Sequence, residues 1–285
     1  MEISRLGVVG AGQMGSGIAQ VALVSGLQVI MRDVSQEFLQ RGKARIVGDL
    51  SRRVEKGKIT SSQMEEFLAR LKITTSLEDL KGCDFVIEAA TENLQIKAQL
   101  FRELENIVLD HTVLATNTSS ISITRIASFT RAPHRVIGMH FFNPVPVMKL
   151  VEVVRGLNTS EQAFQTTCEL TEKLGKKPIE AKDMPGFISS RLIFNYMNEG
   201  IWALYEGLGT PEQIDTIMRM GANHPMGPLE LADFVGLDTV LAVMRVLQEA
   251  FGDKYRPCPL LVQLVEAGRL GLKTGHGIYE HGGDR

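Results

Sequence analysis

One histidine and one glutamate stand out as candidates for proton transfer. His140 follows an apolar run that predicts a buried strand, and Asn143 lies shortly after it. Histidine exchanges a proton near neutral pH, so it suits the general base of a reaction that oxidises an alcohol. Glu152 lies in a second apolar run, where an unpaired carboxylate is costly to bury. We expect Glu152 to pair with His140, fix its ring and stabilise the imidazolium. The alternatives are a purely structural histidine and a glutamate exposed at a sheet edge.

A short polar loop offers a group for the reacting oxygen. Ser119 lies within residues 117–120, which follow the predicted strand 112–116. Its hydroxyl could donate a hydrogen bond to the hydroxyl or developing oxyanion of a substrate, and the same loop could also cap the next helix. The remaining histidines are weaker candidates. We expect surface positions for His111, His134 and His281, and turns for His224 and His276.

A glycine-rich turn near the start of the chain predicts a nucleotide site. The motif Gly10-x-Gly12-x-x-Gly15 follows an apolar strand pattern and opens a helical pattern, with Gln13 and Met14 inside the turn. The first glycine allows the tight turn, the second lets backbone approach a pyrophosphate, and the third lets helix pack on strand. Amide groups at the helix start favour a phosphate anion. A glycine turn that binds nothing is the alternative.

Asp33 supports a dinucleotide site rather than a chance glycine cluster. It ends a second predicted strand, at about the spacing after the glycine motif that places an acidic side chain on a ribose 2′-hydroxyl. This role favours NAD, because a carboxylate repels the 2′-phosphate of NADP. Arg32 beside it could tolerate that phosphate, so NADP stays open as the alternative cofactor.

Strand and helix patterns divide the chain into two predicted domains. Alternation of the two predicts an α/β, Rossmann-like, mostly parallel sheet over residues 1–184, with a basic helical excursion at about residues 36–70. Residues 185–285 have the pattern of an all-helical domain, in which Asp238 is expected to cap a helix. The first helix of this domain is apolar on more than one face, which predicts burial in a subunit interface and hence a homodimer.

Composition is that of an ordinary globular protein and argues against several kinds of partner. The 285 residues are 44% hydrophobic and 22% charged, and the net charge of −2 gives no sign of nucleic acid or an anionic membrane as a partner. No apolar run is long enough to span a bilayer, and the first predicted strand begins too early for a targeting segment. The three cysteines lie far apart without metal-ligand spacing. We therefore expect no disulfide, no metal and a cytoplasmic location.

Several blocks of sequence make the chain similar to a known family. They are GAGQMGSGIAQ, FVIEAATENLQIK, TNTSSISIT, VIGMHFFNPVPVMKLVEVV, PGF, NHPMGPLELADFVGLD and LKTGHGIY, and they are distributed over the whole chain. The chain resembles the short 3-hydroxyacyl-CoA dehydrogenases, most closely the bacterial 3-hydroxybutyryl-CoA dehydrogenases. HFFNP followed by KLVE is far more diagnostic of this family than the glycine motif.

The resemblance implies a reaction and its catalytic groups. The reaction is the NAD-dependent interconversion of an (S)-3-hydroxyacyl-CoA, with a short acyl chain, and the 3-ketoacyl-CoA. His140 would be the general base, paired with Glu152. Ser119 and Asn143 would hold the reacting oxygen and the nicotinamide end of the cofactor.

The resemblance also implies contacts to the cofactor and to CoA, and a dimer formed through the helical domain. The side chains that match NAD-contacting positions are Glu92, Lys97 and Lys273. Lys56 matches a position that contacts CoA, which favours a substrate-binding role for the basic excursion over a merely solvated helical pair.

One position departs from the family pattern. After Pro185-Gly186-Phe187 the family usually has an asparagine that contacts the substrate, and this chain has Ser190. Serine offers one hydroxyl where asparagine offers two donors and an acceptor. We expect reduced turnover rather than loss. Two other functions stay open: a dehydrogenase of a free hydroxy acid or sugar acid on the same scaffold, and a non-catalytic, crystallin-like relative.

Overall fold

Two units make up the structure, a computed structural model that describes residues 3–282. The first unit ends at Asp183 and the second begins at Met184, so the division falls one residue before the boundary expected from sequence. Each unit has a hydrophobic core of its own.

A sheet of eight strands forms the framework of the first unit within the described residues. The strands are β1 (Arg5–Val9), β2 (Gln28–Arg32), β3 (Leu71–Thr74), β4 (Phe85–Glu88), β5 (Val113–Thr116), β6 (Val136–Phe141), β7 (Leu150–Arg155) and β8 (Lys177–Lys182). Their order across the sheet is β3-β2-β1-β4-β5-β6-β7-β8. Neighbours run parallel except β6 and β7, which are antiparallel. The predicted Rossmann-like, mostly parallel sheet is confirmed.

Helices connect these strands. They are α1 (Gln13–Val24), α2 (Gln36–Glu55), α3 (Ser61–Ala69), α4 (Leu94–Ile107), α5 (Ile123–Ala127) and α6 (Glu161–Lys173), with short 3₁₀ turns at Glu78–Gly82 and Pro133–Arg135. The helical excursion is therefore the pair α2 and α3. The Ser35 hydroxyl accepts from the amide of Phe38 at the start of α2, and Thr60 and Gln63 form a capping box at the start of α3.

Strand order defines where a ligand can bind. From β1 the chain builds outward to β2 and β3, and it then returns to place β4 on the other side of β1. A crevice opens at such a reversal, outside the carboxyl ends of the strands. The groups that follow β1, β4, β5 and β6 therefore meet at one edge of the sheet.

The glycine turn closes this edge on the β1 side. Gly10 has a φ of +108°, and a Cβ there would lie 2.5 Å from the carbonyl oxygen of Ala89 after β4. A Cβ at Gly15 would lie 1.9 Å from the carbonyl oxygen of Gly10, so only glycine lets α1 begin this close to β1. The motif thus has the strand–turn–helix context that its sequence predicts.

The second unit is helical. Its helices are α7 (Ser189–Tyr205), α8 (Pro211–Gly221), α9 (Pro228–Val235), α10 (Leu237–Phe251) and α11 (Pro259–Glu266), with a 3₁₀ turn at Asp253–Tyr255. Buried Met197, Ile201 and Met244 are part of its core. Two buried aspartates organise it: Asp215 accepts from the first amides of α9, and Asp233 accepts from the amides of Ile278 and Tyr279.

Two expectations for this unit are wrong. Asp238 does not cap α10, because the helix already begins at Leu237 after Gly236, whose φ is +100°; its carboxylate instead forms an ion pair with Lys273. His281 is not a surface residue, because its Nε2 lies 2.7 Å from the buried carboxylate of Asp233 and only 19% of its side chain is exposed.

Two negative findings hold for residues 3–282. None of their helices has the length and apolar character needed to cross a membrane. These residues also contain no group of three or more histidine, cysteine, aspartate or glutamate side chains suited to a metal ion.

Candidate active site

His140 and Glu152 meet across the antiparallel pair β6/β7. They are direct partners in the strand register, so their side chains project from the same face of the sheet. His140 Nδ1 lies 2.7 Å from Glu152 Oε2. Glu152 is 2% exposed and β7 lies between β6 and β8, so Glu152 is not at a sheet edge. Because Nδ1 faces the carboxylate, Nε2 is the ring nitrogen at which a substrate proton could be exchanged.

Glu92 organises the serine loop at the end of β5. Its Oε1 accepts from the amide and hydroxyl of Ser119, at 3.0 and 3.4 Å, and from the amide and hydroxyl of Ser120, at 3.2 and 3.0 Å. Burial alone would raise the pKa of Glu92, but the charge of Lys97 and the hydrogen bonds from this loop outweigh it, so the pKa lies below its usual value. The carboxylate is therefore ionised at neutral pH.

A buried ion pair lies beneath this loop, and sequence reasoning missed half of it. Lys97 and Glu88 are each 0% exposed, and Lys97 Nζ lies 2.8 Å from both carboxylate oxygens of Glu88. Glu92 Oε2 is 3.6 Å from the same ammonium. Glu88 also accepts from the Thr116 hydroxyl at 2.7 Å. The signal that could have revealed Glu88 is a carboxylate that ends an otherwise apolar strand, like Asp33 after β2.

Two asparagines connect the loops at this edge of the sheet. Asn143 Oδ1 accepts from Gln13 Nε2 at 2.9 Å, which links the loop after β6 to the start of α1. Asn117 Oδ1 accepts from the amide of Phe141 at 3.0 Å, which links the serine loop to β6. Asn117 was not predicted as a site residue. The predicted residues His140, Ser119, Asn143 and Gln13 thus belong to neighbouring elements of one sheet edge.

A cavity of about 740 Å³ lies over the carboxyl ends of β1 and β2. Gly10, Gly12, Gln13, Met14 and Asp33 are among its lining residues. Asp33 accepts from the amides of Ala11 and Val34, each at 2.6 Å, and these two bonds hold its carboxylate at the cavity wall.

The residues present fit a dinucleotide. A Cβ built at Gly12 would meet no atom within 4 Å, so open space lies where the backbone must approach a pyrophosphate. Asp33 stands at the strand end where a ribose hydroxyl is expected. With the adenosine half beside β1 and β2, the nicotinamide half would extend toward β4, β5 and β6, where His140 and Ser119 lie.

Three further predicted site residues belong to other elements. Lys56 is exposed and is the C-cap of α2. Ser190 and Lys273 belong to the second unit, where Ser190 is 4% exposed in the first turn of α7 and Lys273 pairs with Asp238.

This combination of a dinucleotide cavity and a histidine–carboxylate pair defines a nucleotide-dependent oxidoreductase, and comparison with known proteins agrees. Residues 5–184 match the family described as 3-hydroxyacyl-CoA dehydrogenase, NAD binding domain, and residues 186–281 match its C-terminal domain. A Bacillus subtilis protein named probable 3-hydroxybutyryl-CoA dehydrogenase is 52% identical over 99% of this chain and 98% of its own. The 3-hydroxybutyryl-CoA dehydrogenase of Bradyrhizobium diazoefficiens is 49% identical over 99% of this chain and 96% of its own.

A solved structure extends the similarity to three dimensions. The (S)-3-hydroxybutyryl-CoA dehydrogenase of Ralstonia eutropha has a TM-score of 0.97 and 49% identity, covering 99% of this chain and 100% of the other. The chain belongs to the 3-hydroxyacyl-CoA dehydrogenase family. It is therefore an NAD-dependent oxidoreductase whose reaction is the oxidation of a 3-hydroxyacyl-CoA to the 3-ketoacyl-CoA and its reverse.

Proposed function

We propose that the substrate is a short (S)-3-hydroxyacyl-CoA such as 3-hydroxybutyryl-CoA, and that His140 is the general base. The observation that carries this proposal is the 2.7 Å contact between His140 Nδ1 and Glu152 Oε2 at the sheet edge shared with the glycine turn. The names of the relatives support the short acyl chain.

The chain's own residues handle the proton and the oxygen. NAD, when bound, accepts the hydride that leaves carbon 3 of the substrate. His140 Nε2 takes the proton of the 3-hydroxyl as the carbon–oxygen double bond forms, and it returns that proton in the reverse direction. Glu152 holds the ring and stabilises the imidazolium that results. Ser119 donates a hydrogen bond to the reacting oxygen, and Glu92 keeps the serine loop in place.

The cofactor and CoA contacts are extensions of the same proposal. Gln13, Met14 and the glycines would hold the pyrophosphate, and Asn143 the nicotinamide end. The family resemblance supports Lys273 as a cofactor contact, Lys56 as a CoA contact and Ser190 as a substrate contact. Lys97 is better explained as a group that holds Glu92 than as a direct cofactor contact, because 1% of its side chain is exposed.

We also propose a homodimer and a cytoplasmic location. Large apolar side chains remain exposed on and beside α7 and α8, namely Leu192 (65%), Leu208 (76%), Ile217 (65%) and Met220 (82%). Large apolar side chains that remain this exposed are typical of a subunit interface. The free thiols Cys83, Cys168 and Cys258 fit a reducing compartment.

A substrate comparison tests the proposal against its alternatives. NADH oxidation is followed with acetoacetyl-CoA, with longer 3-ketoacyl-CoA thioesters and with free acetoacetate. We expect the highest kcat/KM for acetoacetyl-CoA, and a loss of this activity in Lys56→Glu. A preference for the free acid would favour the hydroxy-acid alternative, and no turnover with NADH or NADPH would favour the non-catalytic one.

A further inference from the structure

Three charged side chains near the carboxyl ends of β4 and β5 form one electrostatic unit. Lys97 Nζ lies 2.8 Å from both oxygens of Glu88 and 3.6 Å from Glu92 Oε2. Within the described part of the chain, Lys97 is the only cation that pairs with either carboxylate. We call these three residues the acid–base–acid triad.

The two carboxylates of the triad have different surroundings. Glu88 is fully buried at the end of β4, where the Thr116 hydroxyl and the Ala90 amide also donate to it. The Glu92 side chain is 40% exposed and reaches the serine loop. Lys97 therefore pairs most closely with Glu88, through two 2.8 Å contacts, and more distantly with Glu92, at 3.6 Å. The triad has one net negative charge, and that charge lies at the crevice.

The two carboxylates and the ammonium sum to one negative charge, whereas removal of the Glu88 charge would leave Lys97 and Glu92 as a pair with no net charge. Glu88 therefore controls whether Glu92 acts as an anion toward the crevice, although Glu88 itself is out of reach of any ligand there.

We propose that Glu88 is a positioning residue that preserves the net negative charge at Glu92, and that this charge shifts the relative affinity of the site from NADH toward NAD⁺. The nicotinamide ring is positively charged in NAD⁺ and neutral in NADH, so a fixed anion beside it stabilises the oxidised form selectively. The inference rests on the proposed function, because the nicotinamide must lie over the ends of β4, β5 and β6. Glu88 would thus influence the relative affinity for NAD⁺ and NADH although it touches neither form of the cofactor.

Binding measurements on four variants test this charge balance. The dissociation constants of NAD⁺ and NADH are measured for the wild type, Glu92→Gln, Glu88→Gln, the double variant Glu88→Gln/Lys97→Met, and the control Glu103→Gln. Glu103 lines the cavity over β1 and β2, whereas none of the triad residues does, so its charge should act alike on both forms of the cofactor.

The triad predicts a specific pattern. Glu92→Gln raises the ratio of the NAD⁺ dissociation constant to the NADH dissociation constant about tenfold, which corresponds to about 1.4 kcal/mol of lost charge interaction. Glu88→Gln raises the ratio in the same direction, because Lys97 then neutralises Glu92. The double variant returns the ratio to the wild-type value, and Glu103→Gln leaves it unchanged.

Two results would overturn the inference: an unchanged ratio in Glu88→Gln while Glu92→Gln shifts it, or a double variant that fails to restore it. If Glu88→Gln does not fold, the other two variants test the inference. It requires a wild-type ratio in Glu88→Gln/Lys97→Met and a raised ratio in Glu92→Gln. Failure of the proposed function looks different, because acetoacetyl-CoA is then not reduced even though both nucleotides bind.

Discussion

His140 and Glu152 face each other across β6 and β7, with Nδ1 and Oε2 2.7 Å apart. The relationship depends on the reversal of strand direction at β7. Direct cross-strand partners in an antiparallel pair have side chains on the same face, so the register alone brings the carboxylate to the ring. Glu152 is 2% exposed, and the histidine provides a partner that offsets the cost of its burial.

Replacement of Glu152 by glutamine tests the charge of this pair while it keeps the shape of the side chain. We expect kcat to fall by about 100-fold, because an amide orients the ring less specifically and does not stabilise the imidazolium. The dissociation constant of NADH should not change. Glu180→Gln is the matched control, since this exposed carboxylate lies on the neighbouring strand β8. A kcat for Glu152→Gln equal to that of the control would contradict the assigned role.

Asp33 is expected to select NAD. Its carboxylate is held at the cavity wall by two amides, and it would repel a 2′-phosphate there. Asp33→Asn should therefore raise the kcat/KM ratio of NADPH to NADH by about tenfold or more. Glu37→Gln removes an exposed carboxylate on the first turn of α2 and should leave the ratio unchanged. A wild type that already prefers NADPH would refute the role given to Asp33.

Ser190 is expected to limit turnover. It occupies a buried position in the first turn of α7, where the family resemblance implies the longer asparagine. Ser190→Asn should raise kcat with acetoacetyl-CoA several-fold, because an amide offers two donors and an acceptor to the substrate. Thermal unfolding establishes that the variant is folded, and NADH binding should match the wild type. An unchanged or lower kcat in a folded variant would show that serine is not the limiting substitution.

The exposed apolar side chains of the helical unit are expected to hold two subunits together. Ile217→Asp and Met220→Asp, at positions that are 65% and 82% exposed, should each convert a dimer into monomers by placing a charge in an apolar interface. Light scattering after size-exclusion chromatography measures the change. Leu157→Asp, at an 83% exposed position of the first unit, is the control and should leave the dimer intact. A wild type that is monomeric at all concentrations would contradict the proposal.

The sheet and the groups at its carboxyl edge could be predicted from sequence because they follow simple periodicity. Buried parallel strands are short apolar runs, and a polar residue at the end of such a run lies at the ligand-binding edge. Ser119 and Asp33 are both identified in this way. His140 differs slightly, since β6 continues to Phe141 and the histidine is its penultimate residue.

The remaining features depend on contacts distant in sequence. Glu88 ends β4 like an ordinary strand terminus, and its partner Lys97 lies on α4, so only the packing of that helix reveals the ion pair. Asp238 has the sequence pattern of a helix cap, but Gly236 adopts a φ of +100° and lets α10 begin earlier. His281 looks like a polar tail residue, and its partner Asp233 lies on α9, in an earlier part of the chain.

The most direct test of the account is the single-turnover reduction of acetoacetyl-CoA by NADH in the wild type and in His140→Asn. The wild type should oxidise NADH in one phase. The variant should do so about 1000-fold more slowly, because the proton donor for the product hydroxyl is lost, while its dissociation constants for NADH and acetoacetyl-CoA stay the same. A variant that reduces acetoacetyl-CoA within about tenfold of the wild-type rate would show that His140 is not the acid–base group.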